Sequence, residues 1–189
     1  MAETTPSKTG EPVHIGEHTA FFYGTLMVRD IFHSVVYNTS KPPPDIVARH
    51  TFTPAVLHGY VRHRVEGAAY PGIIASADDG ASVRGKYVTG LSDANLERLD
   101  FFEGGQYERR TVTVKLLKRA GDAATGAGNV EGEARQAGVY VFRIPGDLED
   151  KEWDFEAFQR DEMHNWTREG YVFEDCDPED PAQVAEDQK

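Results

Sequence analysis

Cysteine is almost missing from this chain: among 189 residues there is one, Cys176. A single thiol excludes an intrachain disulfide framework and a multi-cysteine zinc site. Basic residues are also scarce, with 20 lysines and arginines against 32 acidic residues and a formal net charge of −12. A chain of that sign is repelled by nucleic-acid phosphates and by anionic lipid, so neither nucleic acid nor membrane is an expected partner. No apolar run approaches the roughly 18 residues that cross a bilayer. The amino terminus lacks the basic segment followed by an apolar run that marks a secretory signal, so the expected location is the cytoplasm. Asn38-Thr39-Ser40 and Asn165-Trp166-Thr167 match the glycosylation pattern, which an intracellular chain leaves unmodified.

What hydrophobic sequence there is, 39% of the chain, is concentrated between about Thr19 and Phe173. The expected layout is a flexible tail over residues 1–17, one domain over 18–173 and an acidic tail over 174–189, where Glu174, Asp175, Asp177, Glu179 and Asp180 cluster. Thr19–Tyr23 reads as a short buried strand stopped by Gly24. A helix is expected over Leu26–Val36, with Ile31 and Val35 at helical spacing. Lys41-Pro42-Pro43-Pro44 forces an extended connection. Strand-like segments follow at Ala55–Arg64, Ile73–Ala75 and Ser82–Val88. Thr111–Leu117 alternates, with Val112, Val114 and Leu116 on one face, as a half-buried antiparallel strand does. Residues 120–136, mostly Gly, Ala, Glu and Asp, read as a flexible insertion before β-rich sequence resumes at Val139–Ile144. Trp153–Trp166 is expected to be helical, with Phe155, Phe158, Met163 and Trp166 on one packing flank. Strands outnumber helices without βαβ alternation, so the fold class is α+β, a mainly β core with a few helices laid against it.

Two segments invite a chemical reading. Ser92 is a good N-cap for a helix that Gly104-Gly105 would stop. At about 100° per residue, Leu96, Leu99 and Glu103 fall within about 60° of one another. If the helix runs to its last turn, Glu103 lies in line with the buried stripe. Desolvation there would raise its pKa, as a general base near neutral pH requires; if the helix ends early, Glu103 is an ordinary solvated residue. In Phe21-Phe22-Tyr23-Gly24-Thr25-Leu26, a buried strand ending in glycine runs straight into a helix start. The unpaired amides of such a junction suit a carboxylate or an oxyanion, but they also occur at any strand-to-helix turn. The seven histidines are poorly placed for a metal: His14 and His18 lie in a presumed tail, and His58 and His63 face opposite ways on a presumed strand. Gly126-Ala127-Gly128 lacks the further glycine and the helix of a nucleotide loop, and no serine sits in a nucleophile elbow.

Taken in order, Phe22-Tyr23-Gly24-Thr25-Leu26-Met27, Gly59-Tyr60-Val61-Arg62, Tyr70-Pro71, Val83-Arg84-Gly85-Lys86, Leu96 to Gly104, Tyr107-Glu108-Arg109 and Tyr140-Val141-Phe142 resemble one family. It is the gamma-glutamylcyclotransferase-like superfamily, in particular the branch named for plant avirulence-induced proteins, which often carries the equivalent of Trp153-Asp154-Phe155. The resemblance implies a small, mainly antiparallel β-barrel with packed helices and a cavity at one mouth. It implies Glu103 as catalytic acid/base and Tyr23, Gly24, Thr25, Leu26 and Tyr107 as substrate-binding residues, with Arg62 and Tyr70 lining or bracing the mouth. The implied reaction closes a gamma-glutamyl amine on itself, releasing 5-oxoproline and an amine or amino acid. It needs no metal and no cofactor, and the expected partner is the small-molecule substrate alone. Two other readings stay open: a non-catalytic binding module of the same fold, and a related cyclase or lyase of specialised metabolism.

Overall fold

A computed structural model describes residues 16–122 and 125–167. The expected tail residues 1–15 and 174–189, together with His14, Cys176 and the last stretch of the expected domain, 168–173, lie outside the described residues.

Five strands close into a barrel: β1 (His18–Phe22), β2 (Phe52–His58), β5 (Ser82–Leu91), β6 (Tyr107–Arg119) and β7 (Val130–Phe142), in the order β1-β5-β2-β6-β7. Every pairing is antiparallel except the closing one, where β1 meets β7 in parallel at Ala20 and Gly138. Closure leaves the barrel no free edge. A three-stranded antiparallel sheet stands beside it, with β3 (Tyr60–Val65) between β4 (Pro71–Ala75) and β8 (Leu148–Glu152). Helices α1 (Arg29–Tyr37), α3 (Asp93–Glu103), α4 (Phe155–Asp161) and α5 (Met163–Thr167) form a layer on the barrel, and α2 (Pro44–Val47) is a single turn after the proline run.

Alternation along β1 creates two cores. Phe21 joins Ala55, Leu57, Val83, Val114, Val139 and others inside the barrel. Ala20 and Phe22 face the other way and pack with Leu26, Ile31, Phe32, Val35, Leu96, Leu99 and Phe158 of the helical layer. Phe32, fully buried, is central to this second core, with Phe22, His50 and Phe52 rings 5.1–5.8 Å from its own.

Several expectations shift in detail. The segment 55–64 is not one strand: Gly59, at φ 77°, ends β2 and starts β3 in a different sheet. The Leu26–Val36 helix is two elements, because Val28 is extended (φ −80°, ψ 118°) between a 3-10 turn at Thr25–Met27 and α1. Residues 130–136, expected within an insertion, are the first half of β7, paired with β6 in one long hairpin that begins at Arg119 and Val130. The Trp153–Trp166 helix is interrupted at Glu162, which divides α4 from α5.

Candidate active site

Helix α3 begins with a reciprocal capping box: the Ser92 hydroxyl accepts from the Asn95 amide at 3.2 Å, and the Asn95 side-chain oxygen accepts from the Ser92 amide at 3.1 Å. With its start fixed, the helix keeps its register to the last turn, burying Leu96 and Leu99. It ends at Gly104, whose positive φ of 65° (ψ −167°) glycine adopts readily for want of a Cβ. Glu103 is therefore the final helical residue and follows the buried stripe.

Glu103 retains some exposed area as a residue, but its carboxyl is enclosed. Burial, followed by the negative charge of Asp100 one turn earlier, raises it from 4.5 to about 8. Asp100 is held in place by the Tyr140 hydroxyl, which donates to it at 2.7 Å, and by Arg109 at 3.0 Å. Among the described residues no group donates a hydrogen bond to the Glu103 carboxyl, which leaves it available to a ligand.

The opposite wall comes from the end of β1. Tyr23 is buried, and its hydroxyl donates to the Tyr140 carbonyl at 2.6 Å. Burial, then the charge of Glu103, then Tyr107 push its phenol well above the ordinary value, so it stays protonated. Gly24 is needed for space: a Cβ there would lie 2.9 Å from the Pro71 ring. The 3-10 turn that follows closes through the Met27 amide, which donates to the Gly24 carbonyl at 3.0 Å. The amides of Thr25 and Leu26 precede that bond and take no part in it. Tyr107, the first residue of β6, donates from its hydroxyl to the Pro71 carbonyl at 2.9 Å. Burial raises its phenol too, with Glu103 and Tyr70 adding to the effect.

These residues converge. Tyr23, Gly24, Thr25, Leu26, Glu103 and Tyr107, each marked out in the sequence, line one cavity of about 180 Å³. Tyr70 and Pro71 line it as well, and Tyr140, Phe102, Gln106 and Trp166 are members that sequence reasoning missed. Asp100, which acts on Glu103 from the same helix, was also missed, although its spacing one turn before Glu103 was a readable signal. Among the described residues, Glu103 is the only charged one in the lining. Arg62 stands behind the cradle rather than in it, with one guanidinium nitrogen donating to the Tyr23 carbonyl at 2.9 Å. His58 and His63 fall on different strands, and among the described residues no His, Cys, Asp and Glu side chains are grouped to hold a metal ion.

The profile of the family described as gamma-glutamyl cyclotransferase, AIG2-like, matches residues 20–166, which span the barrel, the second sheet and the whole cavity lining. The chain belongs to this family. Among its AIG2-like relatives, Protein AIG2 A of Arabidopsis thaliana is 35% identical over 150 residues, 79% of this chain and 74% of that protein. Protein AIG2 C of the same plant is 40% identical over 97 residues, 51% of this chain and about half, 52%, of its own length. A solution structure of an Arabidopsis thaliana protein superposes with a TM-score of 0.50 at 30% identity, covering 85% of this chain and 81% of that one. The α+β barrel with few helices is thus the gamma-glutamylcyclotransferase-like fold.

Proposed function

We propose that this chain is an enzyme that cyclises a gamma-glutamyl amide, with Glu103 as general acid/base. One observation carries the reading: a carboxyl raised to about 8, without a hydrogen-bond donor among the described residues, in the same small cavity as the Tyr23–Leu26 cradle. A structural carboxylate of this family member would be expected to find a cation or a donor. One left poised near neutral pH suits proton transfer.

The chemistry uses little else. The substrate's α-nitrogen and its own γ-carbonyl belong to one molecule, so the cavity has only to hold them in a near-attack conformer. At about 180 Å³ the cavity is below the ~300–1,000 Å³ of drug-sized sites and has room for one aminoacyl group. Ionised Glu103 takes a proton from the α-ammonium group; the freed amine attacks the γ-carbon, forming the new N–C bond. Glu103 then delivers a proton to the departing nitrogen as the old C–N bond breaks. In net terms the α-nitrogen gives up two protons to become the lactam N–H of 5-oxoproline, and the leaving amine gains two to depart as an ammonium ion. Thr25 and Leu26 amides supply donors for the substrate carboxylate or for the oxyanion of the tetrahedral intermediate. Tyr23 and Tyr107, kept protonated, shape the pocket around Glu103.

The test is 5-oxoproline release from a panel of gamma-glutamyl dipeptides and gamma-glutamyl amines. Release by the wild type and its loss in Glu103→Gln, with thermal unfolding retained, supports the proposal. Unaltered turnover in that variant overturns it. Binding of a panel member without any turnover by the wild type favours the non-catalytic module.

A further inference from the structure

A second cavity, of about 450 Å³, lies on the outside of the barrel and shares the 3-10 turn with the first: Thr25 and Leu26 line the active-site cavity, and Met27 lines this groove. In a chain of net charge −12, its cationic side is unusual. Arg84 and Lys86 alternate along β5 with buried Val83, Gly85 and Tyr87, so both project from the outer face into the groove. Lys86 sits half-buried between Phe22 of β1 and Pro54 of β2. The charges that act on its ammonium are Arg84 and Arg29, both positive; together with burial, which is the larger cause, they lower its pKa. Of the carboxylates on the other side of the groove, Glu152 is engaged with Arg62 at 3.5 Å and Asp154 caps α4 through the Ala157 amide at 3.0 Å, while Glu156 is exposed.

The groove also has a firm apolar side. The Arg62 guanidinium lies 5.3 Å over the Trp153 ring, and the Trp153 indole donates to the Ala69 carbonyl at 2.8 Å. Half-buried Met27, Pro54 and Phe155 complete that surface. Like charges brought together in a half-buried cleft repel one another, and an anion placed among them relieves that repulsion. A bare anion would leave the apolar side in water.

We propose that this groove binds a small organic anion, a carboxylate or phosphate monoester on a flat apolar body, with the charge at Lys86 and Arg84 and the body against Phe155 and Met27. The site is independent of the reaction assigned to Glu103.

The chain contains two tryptophans, and they divide between the cavities: Trp153 in the groove and Trp166 in the active site. In the ¹⁵N-labelled full chain their two indole signals, assigned with Trp166→Phe, therefore report which cavity is occupied. Phenyl phosphate added at low salt is expected to shift the Trp153 signal saturably below about 1 mM and to leave Trp166 in place. Lys86→Met is expected to weaken that binding at least tenfold, about 1.4 kcal/mol. Inorganic phosphate is expected to bind at least tenfold more weakly than phenyl phosphate. Absence of a saturable Trp153 shift, movement of Trp166 in its stead, undiminished binding by Lys86→Met or equal binding of inorganic phosphate each overturns the proposal. Should Lys86→Met fail to fold, Lys86→Gln replaces it, and the wild-type titration decides the location by itself.

Discussion

Replacing Glu103 with glutamine tests the active site with no substrate present. In the folded protein the carboxyl is raised from 4.5 to about 8, first by burial and then by Asp100. On unfolding it returns to its ordinary value. Between about pH 4.5 and 8 the folded chain consequently holds a proton that the unfolded chain has lost. The unfolded state binds fewer protons there, so stability falls as pH rises through this window and levels off above it. At about 1.36 kcal/mol per pKa unit, the distance from 4.5 to about 8 corresponds to a loss on the order of 5 kcal/mol. Water reaching the exposed part of the side chain reduces that figure. Glutamine is nearly isosteric and carries no charge at any pH. Glu103→Gln should therefore match the wild type near pH 4.5 and exceed its stability by several kcal/mol at pH 9. Urea unfolding of both proteins at intervals across that range measures the difference, and every other titrating group is common to the two and cancels. A difference that stays constant with pH would falsify the claim that this carboxyl is desolvated, and with it the physical basis of the general base.

Activity should follow the same ionisation: kcat/KM of the wild type is expected to rise with pH and level off near about 8, and Asp100→Asn should move that inflection to lower pH without abolishing it, because burial is the larger cause. A profile unmoved by Asp100→Asn would show that its charge does not reach Glu103. Gly24→Ala is expected to lower kcat/KM by up to about 10²-fold and to lower the melting temperature as well, since its φ of −123° suits any residue but its new Cβ would press on the Pro71 ring at 2.9 Å; steady-state kinetics beside a thermal melt measures both effects. Ser92→Ala removes the hydroxyl half of the capping box and should cost about 1 kcal/mol in urea unfolding, spread through α3 and felt at Glu103 only through its position.

Legibility of the sequence followed burial. β1, α3 and the inward face of β6 could be read because one side of each is covered, and a covered side imposes a period on the residues. The same rule placed Glu103: the angle from Leu96 and Leu99 sufficed once the helix was known to reach Gly104. The first half of β7 failed for the converse reason. Val130–Gln136 is exposed at almost every position, so nothing about its side chains alternates, and its pairing with β6 is a matter of backbone hydrogen bonds alone. The break at Gly59 was hidden because apolar residues continue on both sides of it and feed two different sheets. Tyr140, Arg109 and Asp100 come together through the β6–β7 hairpin and α3, a long-range arrangement that no local window contains.

The position of the cavity follows from the two cores rather than from any one motif. Along β1, side chains alternate between the barrel interior and the helical layer, so the strand acts as the wall between them. At Gly24 that wall stops, since glycine sends a side chain to neither side. Tyr23, the last residue before the gap, belongs to the barrel core, and Leu26, the second after it, to the helical core. A gap in the wall between two packed cores is enclosed by protein but filled by neither. Glu103 enters it at the end of α3 and Tyr107 at the start of β6, both from the helical side, with the three residues Gly104 to Gln106 joining the two elements. A carboxyl delivered to such a gap loses its water, and that burial, with the charge of Asp100 added, raises it to about 8. The desolvation that the chemistry needs is thus a property of where the two cores fail to meet, and it depends on Gly24 remaining without a side chain.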